Sequence, residues 1–335
     1  MRVVQSRMSF RIALAVNLLL FAVIFVISMV QGAADTTLNE VWTALTSSTS
    51  GDHLTMIREI RFPREMAGIL VGAALAVSGA IMQGMTRNPL ADPGLLGLTA
   101  GSSAALACTI AFLPALTYFG MMTACFLGAA VGAAMVFGIG AMKRGGFSPL
   151  RIVLAGAAVT AFLIAVSEGV GIYFKISKDV SMWTSGGMIG TSWSQIVAIG
   201  PVILAGTLVA LLLSNQLTIL SLSEEVAAGL GQKLFQIKAV LFIVVVLLAG
   251  ASVALVGNIA FVGLMIPHVV RTVVGQNYRH ILPLSAIFGA TFMMFADMLA
   301  RTVHSPFETP VVAVVAVLGL PFFLLVECKG RGITS

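Results

Sequence analysis

The feature that most constrains this chain is a series of apolar segments that follow one another from residue 12 to residue 327. Each is about 16 to 24 residues long, and an α-helix needs ~20 residues to cross the hydrocarbon core of a bilayer. The composition agrees, because 59% of the 335 residues are hydrophobic and only 10% are charged, against about 45–50% and about 25% in soluble domains. Continuous apolar segments also exclude a transmembrane β-barrel, whose strands alternate apolar and polar residues. We predict ten membrane-spanning helices, at residues 12–30, 65–85, 94–113, 118–141, 150–168, 194–214, 239–257, 259–274, 281–300 and 311–327.

The first apolar segment follows Arg2, Arg7 and Arg11, so it is either a cleaved signal peptide or a retained first helix. Its 19 residues exceed the about 7–15 of a signal-peptide core, which favours the retained helix. An even number of spans places both termini on one side of the membrane. With the N-terminus inside, 13 of the 19 Lys and Arg residues fall in inner segments and nine of the 13 Asp and Glu residues fall outside. The positive-inside rule therefore predicts that both termini are cytoplasmic.

Several chemistries have no signature in the sequence. A GxxxxGK(S/T) phosphate loop is absent, so we expect no ATP hydrolysis by this chain, and the HExxH and GxSxG motifs of enzymes are absent as well. Cys108, Cys125 and Cys328 are too widely separated to indicate a disulfide framework or a metal site. The basic residues are scattered and do not form a nucleic-acid patch. Few acidic residues interrupt the spans, which favours a transporter energised by another subunit over an ion-coupled carrier. We expect no cofactor.

Five short motifs are more specific than generic membrane sequence. The first is the RFPR motif at residues 61–64. The second is RNPLADPGLLG at residues 87–97, where two prolines followed by glycine force a turn at the membrane surface. The third is SLSEEVAAGLG at residues 221–231. The fourth is GLMIPHVVR at residues 263–271, and the fifth begins with ADMLAR at residues 296–301. His268, within the fourth motif, lacks partner ligands and is interpreted as a packing or surface residue.

In this order the motifs resemble those of the permease subunits of ATP-binding-cassette importers for iron-siderophore complexes, haem and vitamin B12, over residues 10–330. The resemblance implies an all-α, polytopic membrane protein with the type II importer fold and about ten transmembrane helices, forming one permease domain over residues 1–335. It also implies a bacterial cytoplasmic-membrane location and several partners. These are a second permease subunit in a homo- or heterodimer, two cytoplasmic ATPase subunits, and an extracytoplasmic siderophore-binding protein.

Transport would proceed by alternating access, with a central cavity lined mainly by the fifth span and its neighbours. Fe(III)-siderophore complexes are the cargo that we expect, with vitamin B12 or haem as alternatives inside the family. An ion-coupled secondary transporter or a channel is the alternative outside it, and a membrane enzyme is disfavoured because no polar catalytic cluster is present.

The resemblance assigns binding-protein docking to three arginines of the outer face: Arg61 and Arg64 in the RFPR motif, and Arg301 after the ninth span. Together they would dock two glutamates of the binding protein, one on each lobe, since a guanidinium group presents a rigid fork to a carboxylate. The alternative is that these arginines pair with acidic neighbours in the same chain, such as Glu59, Glu65 and Asp297.

The segment of residues 215–238 resembles the coupling loop that contacts the ATPase subunit. Either Ser221 or Ser223 is the expected N-cap. Glu224 and Glu225 lie in the first turn, where the helix dipole favours acids, and Gly229 and Gly231 permit the following turn. The alternative is an ordinary solvated amphipathic loop.

The resemblance also implies a cytoplasmic gate at Asn88, Pro89 and Leu90, with a companion at Ser148 and Pro149 before the fifth span. Asn88 could instead be a helix-capping residue. Glycines spaced three or four residues apart, such as Gly68, Gly72 and Gly79, are interpreted as contacts of a tightly packed helix bundle.

Overall fold

The structure is a computed structural model, and it describes residues 8–32, 36–47, 51–141, 149–185, 187–304 and 307–331. Within these ranges every regular element is helical. A π-helical turn, Ile57–Arg61, precedes the fourth helix, and a 3₁₀ turn, Pro93–Leu96, precedes the fifth. In chain order the α-helices are α1 (Phe10–Val30), α2 (Leu38–Thr46), α3 (Asp52–Met56), α4 (Phe62–Thr86), α5 (Leu98–Phe112), α6 (Tyr118–Ala141), α7 (Pro149–Tyr173), α8 (Ser177–Thr184), α9 (Trp193–Leu212), α10 (Ser214–Leu220), α11 (Glu224–Gly229), α12 (Leu234–Val256), α13 (Val262–Val274), α14 (Tyr278–Thr302) and α15 (Val311–Arg331).

The long apolar helices coincide with the ten predicted spans. Seven described helices are long and apolar enough to cross a membrane, and three shorter apolar helices, α5, α13 and the first part of α15, fill the remaining positions. The all-α prediction is confirmed. The polar connections contain short helices that the sequence pattern did not predict. One of them is α8, which follows the fifth span, and that span itself continues five residues beyond its predicted end, to Tyr173.

Helix α4 lies at the centre of the bundle and is the most buried of the long apolar helices. Glycine contacts bring its backbone close to two neighbours. A Cβ atom at Gly72 would lie 2.2 Å from the carbonyl oxygen of Gly289 in α14, and one at Gly79 would lie 1.8 Å from that of Gly263 in α13. Since apolar burial does not drive helix association inside lipid, such close approach supplies the packing energy. The prediction of a glycine-packed bundle is confirmed at these positions.

Helices α5 and α13 have only 15 and 13 residues, about 22 and 20 Å at 1.5 Å per residue, which is less than the ~30 Å hydrocarbon core. The connections that precede them therefore reach into the bundle. Pro267 in α13 has no N–H group, so the carbonyl of Gly263 lacks its helical donor. The side-chain amide of Gln83 in α4 donates to this carbonyl at 3.4 Å and to that of Leu264 at 3.0 Å. The GLMIPH motif thus connects α13 to α4 through these hydrogen bonds.

Candidate functional sites at the two ends of the helix bundle

The end of the bundle where α4 begins, which we call the Arg64 end, contains a buried network of charged side chains. Arg64 donates from Nε to Asp297 Oδ2 and from Nη2 to Asp297 Oδ1, both at 2.9 Å. Its third nitrogen, Nη1, holds both oxygens of Glu308 at 2.9 and 3.0 Å. Arg64 therefore joins α4, α14 and the segment before α15. Its contact with Asp297 is bidentate, the geometry that a guanidinium group forms best, whereas the single nitrogen Nη1 contacts both oxygens of Glu308.

Arg301 belongs to the same network. Its Nη2 donates to Glu65 Oε1 at 2.6 Å and to the Ser28 hydroxyl at 2.8 Å. Its Nε lies 3.0 Å from Asp297 Oδ2, so Asp297 is shared between the two arginines. The network consequently fastens the end of α1 to α4 and α14.

Arg61, in the π-helical turn, contacts the end of α1. It donates to the carbonyl oxygens of Met29 and Val30 at 2.7 and 3.0 Å and to the Thr36 hydroxyl at 2.6 Å. The last carbonyls of a helix lack intrahelical donors and carry partial negative charge, so a guanidinium group satisfies them.

All three predicted docking arginines are buried, with exposed fractions of 6% for Arg61, 7% for Arg64 and 4% for Arg301. The chain itself supplies partners for each of them. For Arg64 and Arg301 these partners include Asp297, one of the acidic neighbours that the sequence suggested, whereas Glu59 is exposed. Docking to a second protein remains a prediction, and it requires that an incoming carboxylate exchange with one of these internal partners.

The opposite end, which we call the Glu224 end, contains the predicted coupling segment. Ser223 caps α11, since its hydroxyl accepts a hydrogen bond from the Val226 backbone N–H at 3.0 Å. Glu224 Oε2 lies 2.7 Å from Lys238 Nζ on α12, and Glu224 Oε1 lies 3.3 Å from Arg87 Nη2 at the end of α4. Glu224 therefore connects the short helix to two long ones.

Glu225 differs from its neighbour. Its side chain is exposed and, within the described part of the chain, forms no ion pair or hydrogen bond. Gly231 adopts φ +79°, the left-handed conformation that glycine tolerates, and turns the chain towards α12. The surface around these residues carries exposed large apolar side chains, namely Leu222, Val226, Leu230 and Phe235.

The predicted gate turn adjoins the coupling helix. Arg87 ends α4 at φ +53°, and the Asn88 side-chain oxygen then accepts a hydrogen bond from the Leu90 backbone N–H at 2.9 Å. This hydrogen bond closes a turn between α4 and the 3₁₀ turn and is not a helix cap, so the gate role of Asn88 stays a prediction. Its neighbour Arg87 pairs with Glu224. Pro149 begins α7, and Ser148 lies outside the described residues, so the companion gate remains a prediction.

Two cavities near the Arg64 end were missed by sequence reasoning. The α8–α9 connection lies at this end, because the Trp193 indole N–H donates to the Arg58 carbonyl at 2.9 Å. One cavity, of about 550 Å³, is lined by Tyr118 and Trp183, whose ring centroids are 4.3 Å apart. The other, of about 360 Å³, contains Glu168. Both are bounded by α8, whose short polar sequence gave no helical signal.

The sequence profile of the FecCD transport family matches residues 19–329. The chain belongs to the FecCD transport family. Among FecCD relatives, the iron(3+)-hydroxamate import system permease protein FhuB of Bacillus subtilis is 44% identical over 91% of this chain and 80% of its own length. The Fe(3+)-citrate import system permease protein YfmD of the same organism is 41% identical over 83% of each chain.

A solved structure extends the similarity to the fold. An ABC transporter of the metal-chelate type, in an inward-facing conformation, superposes with a TM-score of 0.84 at 28% identity, over 95% of this chain and 99% of that one. The FecCD chain therefore has the type II importer permease fold that the motifs implied.

Proposed function

We propose that the chain is the permease subunit of an ATP-binding-cassette importer that carries Fe(III)-siderophore complexes across the bacterial cytoplasmic membrane. The observation that carries this proposal is the FecCD match over residues 19–329. Two relatives above 40% identity, whose names specify ferric hydroxamate and ferric citrate, support a ferric chelate as cargo. The chain acts as the transport subunit, while separate subunits hydrolyse ATP.

In this proposal the Glu224 end faces the cytoplasm and the Arg64 end faces outwards. The excess of Lys and Arg in the segments that join the spans at the Glu224 end supports this orientation, as does the excess of acids at the other end. Both termini are then cytoplasmic. Two such permeases, or this chain and a related one, pair in the membrane.

The binding protein docks at the Arg64 end, and Arg64 supplies the guanidinium group that one of its glutamates would bind. Glu308 is the most accessible partner of Arg64, with a side chain 28% exposed, whereas the Asp297 side chain is 1% exposed. An incoming glutamate would displace Glu308 from Arg64 Nη1 and leave the inner pair intact. Arg61 and Arg301 hold the surrounding helices in place for this exchange.

This exchange has a direct test. Glu308→Gln removes the competing charge, so we expect the binding protein to dock more tightly to the variant complex, with a faster association rate at low salt. Glu59→Gln is the matched control, since Glu59 is exposed at the same end and outside the network. Weaker docking of the Glu308 variant would contradict the exchange.

The ATPase subunits dock at the Glu224 end. The apolar contact with the ATPase comes from four exposed side chains, those of Leu222, Val226, Leu230 and Phe235. They lie on or next to the compact turn that contains Ser223, Glu224, Glu225, Gly229 and Gly231. Glu224 transmits the movement of the ATPase subunits to the spans, because it forms ion pairs with Lys238 on α12 and with Arg87, the residue that precedes the Asn88–Pro89–Leu90 turn. In this proposal, that turn and the Ser148–Pro149 segment close the inner gate.

Cargo identity is tested by iron uptake in a strain that lacks the permease gene. A panel of ferric siderophores is supplied, with vitamin B12 and haem as controls, and the gene is restored on a plasmid. We expect uptake of at least one ferric siderophore to return with the gene. Restoration of haem or vitamin B12 uptake alone would overturn the assignment of cargo.

A further inference from the structure

Glu168 lies on α7 in an unusual setting. Residues Arg151–Tyr173 form an apolar candidate span, 28% of which is buried, yet the Glu168 side chain is exposed on this helix. It precedes the helix end by five residues, about 8 Å at 1.5 Å per residue. Among the described residues its carboxylate has no hydrogen-bond or ion-pair partner. Because a bare carboxylate facing lipid is costly, we expect this part of α7 to meet water, a polar ligand or a polar group of the second permease.

The surroundings of Glu168 form a polar pocket of about 360 Å³ between α5, α7 and α8. Its polar side chains are one carboxylate and five hydroxyls. They belong to Glu168, Ser103, Ser167, Ser177, Ser181 and Thr184.

The hydroxyl groups divide into two sets. The hydroxyls of Ser103, Ser167 and Thr184 donate to backbone carbonyls, those of Thr99, Ser103 and Val180, at 3.0, 3.2 and 2.9 Å, so these three hydroxyl protons are not available to a ligand. Ser177 and Ser181, at the start and middle of α8, have no side-chain partner among the described residues. Glu168 is an acceptor, and the two free hydroxyls both donate and accept.

The pocket therefore presents one negative charge and several acceptors. Lys175, Lys178 and Asp179 lie nearby on the α7–α8 connection and on α8, but none of them lines this pocket. The complementary ligand group is a cationic donor, and an ammonium group, with three N–H donors and no acceptor, matches it best.

We propose that the Glu168 pocket contacts the cargo near the Arg64 end and favours ferric chelates that carry an ammonium group. This inference rests on the proposed import function and adds a charge preference to it. The carboxylate binds the ammonium group, Ser177 and Ser181 bind neighbouring polar groups of the chelate, and the iron stays within the chelate.

The test uses two chelates that differ only in this group: ferrioxamine B, which carries a free ammonium, and its N-acetylated derivative, which is neutral. The initial uptake rate of each is measured with the complete transporter and one binding protein, for the unmodified complex, Glu168→Gln and Asp179→Asn. Asp179 is exposed on neighbouring α8 outside the pocket, so its variant is the matched control.

We expect Glu168→Gln to lower the preference for ferrioxamine B over its acetylated form by about tenfold, the scale of one charged hydrogen bond, and Asp179→Asn to leave the preference unchanged. If the ratio of the two uptake rates, ferrioxamine B over its acetylated form, were the same in Glu168→Gln and in the unmodified complex, the proposal would be overturned. An equal loss of uptake for both chelates would overturn it too, while the import function would stand. If the unmodified complex imported no ferric chelate at all, the import function would fail as well.

Discussion

Replacing Glu224 with glutamine tests whether the coupling helix is tied to the spans by one side chain. The Lys238 side chain is 7% exposed, whereas the side chains of Glu224 and Arg87 are 34% and 37% exposed. Removing one partner of a fully buried pair costs about 3–5 kcal/mol, and an exposed pair contributes about 0–1 kcal/mol. Because Glu224 is partly exposed, we expect its removal to weaken the attachment of α11 to α4 and α12 by an intermediate free energy, about 1–2 kcal/mol. This free energy lowers the ratio of attached to detached α11 by about 5–30-fold.

The assay is the number of chelate molecules imported per ATP hydrolysed, in proteoliposomes that contain the permease, the ATPase subunits and the binding protein. We expect Glu224→Gln to lower this ratio several-fold, because the ion pairs that couple the movement of α11 to α4 and α12 are lost. Arg87→Gln removes only the more exposed contact and should have a smaller effect.

Arg279→Gln is the control, since it removes a charge from an exposed side chain at the same end of the bundle, outside the coupling segment of residues 215–238. The number of chelate molecules that this variant imports per ATP should equal that of the unmodified complex. An unchanged number in Glu224→Gln, or the same defect in Arg279→Gln, would refute the reasoning that the ion pair transmits the motion.

Two further variants test the packing of the fold. Asp297→Asn removes the charge shared by two buried arginines, so we expect about 3–5 kcal/mol of destabilisation, seen as a lower melting temperature in detergent, whereas Glu59→Gln should leave that temperature unchanged. If the Asp297 variant melted at the same temperature as the unmodified protein, the stabilising role of the charged network would be contradicted. Gly79→Ala places a Cβ atom 1.8 Å from the Gly263 carbonyl oxygen and should lower the yield of folded protein severely. In Gly138→Ala the new Cβ atom meets no atom within 4 Å, so this variant should be tolerated. Equal yields of the Gly79 and Gly138 variants would contradict the close packing of α4 against α13.

The positions of the spans could be predicted from the sequence because length and hydrophobicity are local properties of a segment. The N-cap of α11 could be narrowed to Ser221 or Ser223 for the same reason, since a capping hydroxyl and the N–H that it accepts from are only three residues apart, as they are at Ser223. Helix α8 was not predictable, because its eight residues have a mixed composition and its position depends on contacts with α5 and α7.

The partners of the charged residues could only be guessed from the sequence. Arg64 and Asp297 are 233 residues apart in the chain, and Arg87 and Glu224 are 137 apart. A sequence pattern identifies an arginine near a membrane surface but does not say whether its carboxylate belongs to the same chain or to a second protein. The polar pocket at Glu168 was missed for a similar reason, because α8 brings its serines to a carboxylate that, taken alone, resembled a helix-end residue.

The most direct test of the central claim is the energy source for ferric siderophore uptake. The permease is reconstituted in proteoliposomes with its ATPase subunits, and the binding protein is loaded with radioactive iron in a siderophore. The account predicts that iron enters only when ATP and the binding protein are both present, and that a proton gradient without ATP drives no uptake. Uptake driven by the proton gradient in the absence of ATP would contradict it.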